Sequence, residues 1–314
     1  MICGIVFPKR WIAASELETA IRVRAGCDPH SAEAYEVHFR FPRGSKIMAD
    51  AAVRLLSLLN QLDLCTRRVQ LDFEEGEAGT MGYLDRLGFF DHLSENVSVH
   101  PERPAISGAE IYGGTNAGLV EIARISRTTR DCALPSRLTD ALMRSCGNRT
   151  DARELEGAAW TIFAELIDNI FSHSDTPLDG YAALQLYSRG KSLKVAVSDS
   201  GRGIMDTLRP TLKTEFPTLE SLSDLDLVVE VFRKGLSRHG GSRGCGLKGS
   251  AEKAMKFNAD LDVRLPTSRV VLAPGKEGYK PNTAYCYERL PLVWGSHICF
   301  TFHLTEDGNS GLLC

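Results

Sequence analysis

The sequence predicts an α+β protein in two units: a C-terminal sandwich of mixed, mainly antiparallel sheet covered by helices, preceded by a small α/β unit. Three observations lead there. "GYAALQLYSRGKSLKVAVSDSGRGI" reads as two alternating strands joined at "SRGKS", and strands so closely joined are antiparallel neighbours. "ARELEGAAWTIFAELIDNIFSHS" carries apolar residues at helical spacing, with Leu155, Ala158, Ala159, Ile162, Leu166 and Ile170 on one stripe and Trp160, Phe163, Ile167 and Phe171 widening it. A stretch rich in Pro, Gly, Ser and Asn, "NVSVHPERPAISGAE" to "YGGTNAG", separates this part from the first hundred residues. The predicted organisation is 1–105 as the α/β unit, 106–130 as linker and first strand, and 131–314 as the sandwich.

The elements follow in order. "YEVHFRFP" and "RRVQLDF" alternate as strands, and "MADAAVRLLSLLNQLDL" between them is an amphipathic helix. "EEGEAG" is a turn and "TMGYLDRLGFFDHL" a second helix-like run. "LVEIARIS" is a strand, and "LPSRLTDALMRSCG" a helix with glycine just past its end. Beyond "DSGRGI" comes a helical or loop-rich region. Two or three further strands close the chain, the last being "SHICFTFHL".

Composition excludes several classes. The 314 residues, 43% hydrophobic with formal net charge −3, give globular material and no global attraction to nucleic acid or anionic membrane. The nine cysteines are odd in number and scattered without a C-x-x-C pair, so neither a disulfide framework nor a zinc site is expected, and a reducing cytoplasm is. No stretch approaches the roughly 20 apolar residues that span a bilayer, and no signal-peptide core opens the chain.

Three segments carry polar chemistry. The long apolar helix bears Glu165, Asp168, Asn169 and Ser172 as one narrow polar stripe, with Glu165 and Asn169 four apart on one face. Alone, such a stripe is a solvated helix edge. In "VSDSGRGI", Asp199 ends a strand, with Gly201 and Gly203 directly after. A carboxylate there can accept a hydrogen bond from an exocyclic amine such as adenine N6, and glycines let backbone lie against a planar base. Alone, it is an Asp-Ser-Gly turn. "SRGCGLKGS" holds Gly244, Gly246 and Gly249 before the helix-like "SAEKAMKF", with Arg233, Lys234, Arg238 and Arg243 leading in and Lys248 inside. Backbone amides at a helix N-terminus suit phosphate. The string lacks the preceding strand of a dinucleotide fold and the Gly-Lys-Ser/Thr of a Walker loop, so alone it is a solvated loop.

Together and in this order, the three segments resemble the histidine-kinase-like (GHKL, Bergerat-fold) ATPase superfamily, which includes DNA gyrase B subunits, sensor histidine kinases and anti-sigma-factor serine kinases. "ELIDNIFSHS" resembles the N-box, "DSGRGI" the adenine box, "SRGCGLKG" the last glycine box, and "WGSHICFTFHL" the closing Gly-Thr strand with Ser296 at the threonine. The resemblance covers about half the chain and implies a Bergerat-type sandwich binding ATP and Mg²⁺. By it, Asn169 ligates Mg²⁺, Glu165 is the general base, Asp199 reads adenine, Gly201 and Gly203 give the base room, and Gly244 and Gly246 lie along the phosphates. Ser242 stands where a glycine is common, Cys245 where leucine is, and His173 where a basic or polar residue often falls. No phospho-accepting histidine with a dimerisation helix precedes the region. No lysine-bearing domain follows it, and Lys248 is the candidate substitute.

The N-terminal unit resembles a STAS-like domain, the fold of anti-sigma-factor antagonists, through "RRVQLDF", "EEGEAGT" and "MGYLDRLGFF". Antagonists carry a phosphorylatable serine in that turn. Here the nearest hydroxyl is Thr80, which reads as a helix N-cap. The function implied is a cytoplasmic, signalling Mg-ATP-binding protein that hydrolyses ATP as a switch coupled to a partner protein through the STAS-like domain. The alternatives are a serine/threonine kinase of the anti-sigma-factor type and a non-catalytic nucleotide-binding module. A homodimer stays open; membrane and nucleic acid are not indicated.

Overall fold

The structure, a computed structural model, describes residues 1–24, 28–126, 128–146, 149–173, 176–187, 189, 191–234, 245–276 and 278–304. The N-terminal half alternates strand and helix: β1 (Ile2–Val6), β2 (Trp11–Ile12), α1 (Ala14–Thr19), β3 (Glu36–Phe41), β4 (Lys46–Ile47), α2 (Ala49–Leu64), β5 (Arg68–Phe73), α3 (Thr80–Arg86), α4 (Phe89–His92) and β6 (Ser98–His100). Strands β1, β3, β5 and β6 form a parallel sheet in that order, and β2 pairs with β4. The helix-like run after the "EEGEAG" turn is split into α3 and α4 at Gly88, whose φ of +77° cannot continue a helix. Thr80 is the first residue of α3 rather than its cap. Its hydroxyl is 6% exposed as a residue and donates to the Ser45 carbonyl at 2.5 Å.

The chain continues through α5 (Gly108–Tyr112), β7 (Leu119–Ile125), α6 (Leu134–Cys146), α7 (Ala152–His173), β8 (Gly180–Tyr187), β9 (Ser192–Ser198), α8 (Gly203–Glu215), α9 (Pro217–Glu220), α10 (Asp224–Lys234), α11 (Cys245–Lys256), β10 (Ala259–Arg264), β11 (Arg269–Ala273), β12 (Lys280–Pro281) and β13 (His297–His303). Seven strands form one sheet in the order β12-β11-β10-β13-β9-β8-β7, every neighbouring pair antiparallel. The protein is therefore α+β with a large antiparallel sheet, and four strands follow the helical region rather than two or three.

Alternation along these strands decides the layers. Ala182, Leu184, Val195, Val197, Phe300 and Phe302 share one core with α6, α7, α8, α10 and α11. Tyr181, Ala183, Ala196 and Cys299 point the other way, into the core that holds α2 and the parallel sheet. Helix α2 thus lies between two sheets, buried from Ala49 to Leu62. Its polar residues Asp50, Arg54, Ser57 and Gln61 recur at helical spacing and are buried, and Asp50 and Arg54 meet charges from the antiparallel sheet. Lys194 Nζ reaches Asp50 Oδ2 at 2.7 Å. Arg54 pairs with Glu18 at 3.0 Å and with Asp262 at 3.6 Å. Arg264 also reaches Glu18 at 3.0 Å, and Arg269 reaches Asp262 at 2.8 Å.

These pairs set protonation. Burial would raise the Glu18 carboxyl, but the Arg264 and Arg54 guanidiniums outweigh it and hold the group below its usual range. Burial, then Arg54 and Arg264, push the His297 imidazole far down, so it is neutral. Cysteine spacing suggests no disulfide framework, yet Cys3 in β1 is disulfide-bonded, while Cys65, Cys132, Cys146, Cys286 and Cys299 are free. A spacing pattern cannot register pairing that depends on how the fold brings chains together. No helix among the described residues is long and apolar enough to cross a membrane.

Candidate functional site

Helix α7 lays Leu155, Ala159, Ile162, Phe163, Leu166 and Ile170 on the antiparallel sheet, as its periodicity requires. Trp160 departs from that pattern: it is 48% exposed, and its indole N–H donates to Ser136 Oγ at 3.3 Å. Within the polar stripe, Asp168 pairs with Arg130 at 2.7 Å, and the Arg130 guanidinium also lies over the Phe171 ring at 5.4 Å. Glu165 and Asn169 are half-buried, and their side chains make no hydrogen bond or ion pair among the described residues. Two polar groups held rigidly on a packed helix with unused hydrogen-bonding capacity are available to a ligand.

The end of α7 is fixed over a particular end of the sheet. A Cβ at Gly180 would stand 2.6 Å from Ile170 Cγ2 and 3.1 Å from the Ser198 carbonyl oxygen. Glycine at the start of β8 therefore lets the last turns of α7 seat directly on β8 and β9. Ile170 near the end of α7 and the Ser198 carbonyl at the end of β9 both flank Gly180; in sequence, Asn169 precedes the first and Asp199 follows the second.

That loop is tightly built. Asp199 is 9% exposed; the Gly201 N–H donates to its Oδ1 at 2.7 Å and the Ser296 N–H to its Oδ2 at 2.9 Å. The Asp199 N–H donates in return to the Ser296 carbonyl at 3.1 Å. Burial pushes the Asp199 carboxyl up to about 6, against the opposing pull of the Gly201 and Ser296 N–H groups. It is ionised at neutral pH, a buried acceptor with lone pairs to spare. The approach requires Gly295, whose φ is +86° and whose Cβ would collide with the Asp199 carbonyl. Ser296 Oγ accepts from the Ile204 N–H at 2.9 Å and so closes the first turn of α8. At Gly203 a Cβ would meet the Gly295 carbonyl and Pro266 at 3.2 Å, so this glycine serves the docking of the two loops on each other.

The glycine-rich segment is described in part. Gly246 and Lys248 lie in the first turns of α11, which packs on α7 and is tied to it by Lys256 with Glu154. Lys248 pairs with Glu252 at 3.7 Å on an exposed face. Gly244, Ser242, Arg238 and Arg243 lie outside the described residues. A groove of about 350 Å³ between α6 and α7, lined by Ser136, Thr139, Asp140, Arg153, Glu156, Gly157 and Trp160, contains none of the predicted site residues. Sequence reading missed Gln61, Trp294 and Gly295 as parts of the Asp199 environment. Trp294 and Gly295 left a trace, in "WGS", and Gln61 left none.

Among known proteins, no family model and no curated sequence matches the chain. The site's own chemistry remains. Among the described residues no group of three His, Cys, Asp or Glu side chains could hold a metal. The donors of the site fit a hard divalent ion only as Mg²⁺ usually binds, through one side-chain oxygen such as that of Asn169 with phosphates and water completing the shell.

Proposed function

We propose that this chain is a Mg-ATP-binding protein of the histidine-kinase-like ATPase type, hydrolysing ATP as a conformational switch coupled to a partner protein. The observation that carries the reading is the buried Asp199 carboxylate, held at the end of β9 by the Gly201 and Ser296 N–H groups with lone pairs to spare; the side chains of Glu165 and Asn169 on α7, unpartnered among the described residues, support it. In this reading Asp199 accepts from adenine N6, Asn169 holds Mg²⁺ beside the phosphates, and Glu165 orients and deprotonates the attacking water. Gly246 and Lys248 at the start of α11 lie on the phosphate side, with Gly244 before them, and Ser296 keeps the Asp199 loop and α8 in register. The STAS-like half recruits the partner.

Hydrolysis is preferred to self-phosphorylation at Thr80 because that hydroxyl is buried and already bonded to Ser45. The test is incubation of the purified chain with Mg²⁺ and γ-labelled ATP, following free phosphate and protein-bound label together, beside Asn169→Ala. Free phosphate that disappears with Asn169→Ala supports the reading. Label on protein makes the chain a kinase. Nucleotide binding indifferent to Asn169→Ala removes the pocket assignment.

A further inference from the structure

We infer that the nucleotide site is built by both halves of the chain, and that Gln61 on α2 is a positioning residue for adenine recognition. The inference rests on the nucleotide reading and adds a residue from outside the three segments that suggested it. Gln61 is fully buried. Its Oε1 accepts from the Trp294 N–H at 2.9 Å, and its Nε2 donates to Ser200 Oγ at 2.9 Å and to the Trp294 carbonyl at 3.1 Å. Ser200 follows Asp199, and Trp294 precedes Gly295. One side chain thus joins the two backbone segments whose N–H groups hold the Asp199 carboxylate.

Other N-terminal residues hold the same segment. The His30 ring stacks on Trp294 at 5.2 Å, and Asp28 Oδ2 accepts from the Leu292 N–H at 3.4 Å. A carboxylate that must meet a planar base within hydrogen-bonding distance tolerates little displacement, and a short loop cannot fix itself that well alone. Gln61 acts on the base through Asp199. By linkage, nucleotide occupancy must act back on α2 to the same extent.

The experiment measures affinities for Mg·ADP and Mg·GDP on the full chain, as wild type, Gln61→Met, Gln61→Glu and Ser57→Ala. Methionine keeps volume and removes every bond. Glutamate keeps the acceptance from Trp294 and can accept from Ser200. Ser57 is buried on the same helix with an unbonded hydroxyl, so its removal tests the helix without the clamp. Gln61→Met should weaken Mg·ADP about ten-fold and reduce the preference for adenine over guanine, Gln61→Glu should recover part of both, and Ser57→Ala should change neither. General loss of stability would lower the active fraction without altering that preference. A folded Gln61→Met with wild-type affinity and preference overturns the inference alone. Wild type that binds no Mg·ADP overturns the nucleotide reading and the inference with it. Should Gln61→Met not fold, hydrogen exchange on the wild type decides: Mg·ADP should slow exchange at Trp294 and in the last turns of α2, and no change there overturns the proposal.

Discussion

Helices α2 and α7 lie on opposite faces of the same antiparallel sheet, and each carries a polar stripe on an otherwise apolar surface. Their stripes differ in how they are satisfied. On α2, Asp50, Arg54 and Gln61 are buried and bonded to residues far along the chain, among them Lys194, Asp262, Ser200 and Trp294. On α7, Glu165 and Asn169 are half-buried and without protein partners among the described residues. The first pattern belongs to an internal joint. Buried ion pairs add little net stability, because desolvation offsets attraction, but an unpaired member is heavily penalised, so the pairs specify one placement of α2 on the sheet. The second pattern leaves polar groups with capacity for water or a ligand, as the proposed nucleotide site requires.

The largest effect should come from the joint. Arg54→Met leaves Glu18 with Arg264 alone and Asp262 with Arg269 as its arginine, one fewer buried cation for each, and should lower unfolding free energy by about 2–4 kcal/mol in urea titration. A loss under about 1 kcal/mol would mean the network does not hold α2 in place. On the other helix, Glu165→Ala should reduce ATP turnover about a hundred-fold or more while leaving urea stability within about 0.5 kcal/mol. Turnover that survives requires another base, and a large stability loss would make Glu165 structural.

Asp199 sits between the two helices and combines both characters. Its folded value of about 6 lies above the ordinary 3.8, so folding favours its protonated form. Its contribution to stability is fully present below about 3.8 and is lost as pH rises through about 6. Adenine recognition needs the ionised form and should weaken as pH falls through that same value. Asp199→Asn should weaken ATP by roughly ten- to a hundred-fold at neutral pH, the worth of a hydrogen bond to a charged group. The difference between wild type and Asp199→Asn in urea stability should narrow or reverse toward neutral pH. ATP affinity equal at pH 5 and pH 8 would contradict the assigned role.

The smallest effect is expected at the exposed ion pair of α7. Asp168→Asn removes the partner of Arg130 at the surface and should change stability by about 0–1 kcal/mol, less still at high salt. A larger change would mean that Arg130 helps hold α7.

Local chemistry made much of this legible. The period of 152–173, the short connection between β8 and β9 and the glycines beyond Asp199 are all local signals, and they located the helix, the hairpin and the loop. Partnership across the chain was hidden. The amphipathic pattern of α2 reads as one wet face and one dry face, since nothing within it announces that Lys194 and Asp262 will cover the polar side. Gln61 is one glutamine among ordinary helix residues, and its importance depends on Ser200 and Trp294, 139 and 233 positions away. Trp160 misled for the opposite reason: an aromatic beside the apolar stripe reads as core, yet it is 48% exposed at the groove between α6 and α7. Gly88 divides α3 from α4 through a backbone angle that a glycine in a helical pattern permits without requiring.

The strand His297–His303 lies in the middle of the seven-stranded sheet, between β10 and β9, although it is the last of those seven strands in sequence. During synthesis β8 and β9 can pair at once, but β9 must wait about a hundred residues for its other neighbour, roughly 5–20 s at ordinary ribosomal rates. Throughout that interval β9 carries an open edge, joined by β10 once that strand has emerged, and Trp294 has not arrived to meet Gln61. The Gln61 contact and the Asp199 clamp are completed together by the segment that carries Trp294 and Ser296, so the candidate site takes shape only as the two halves lock.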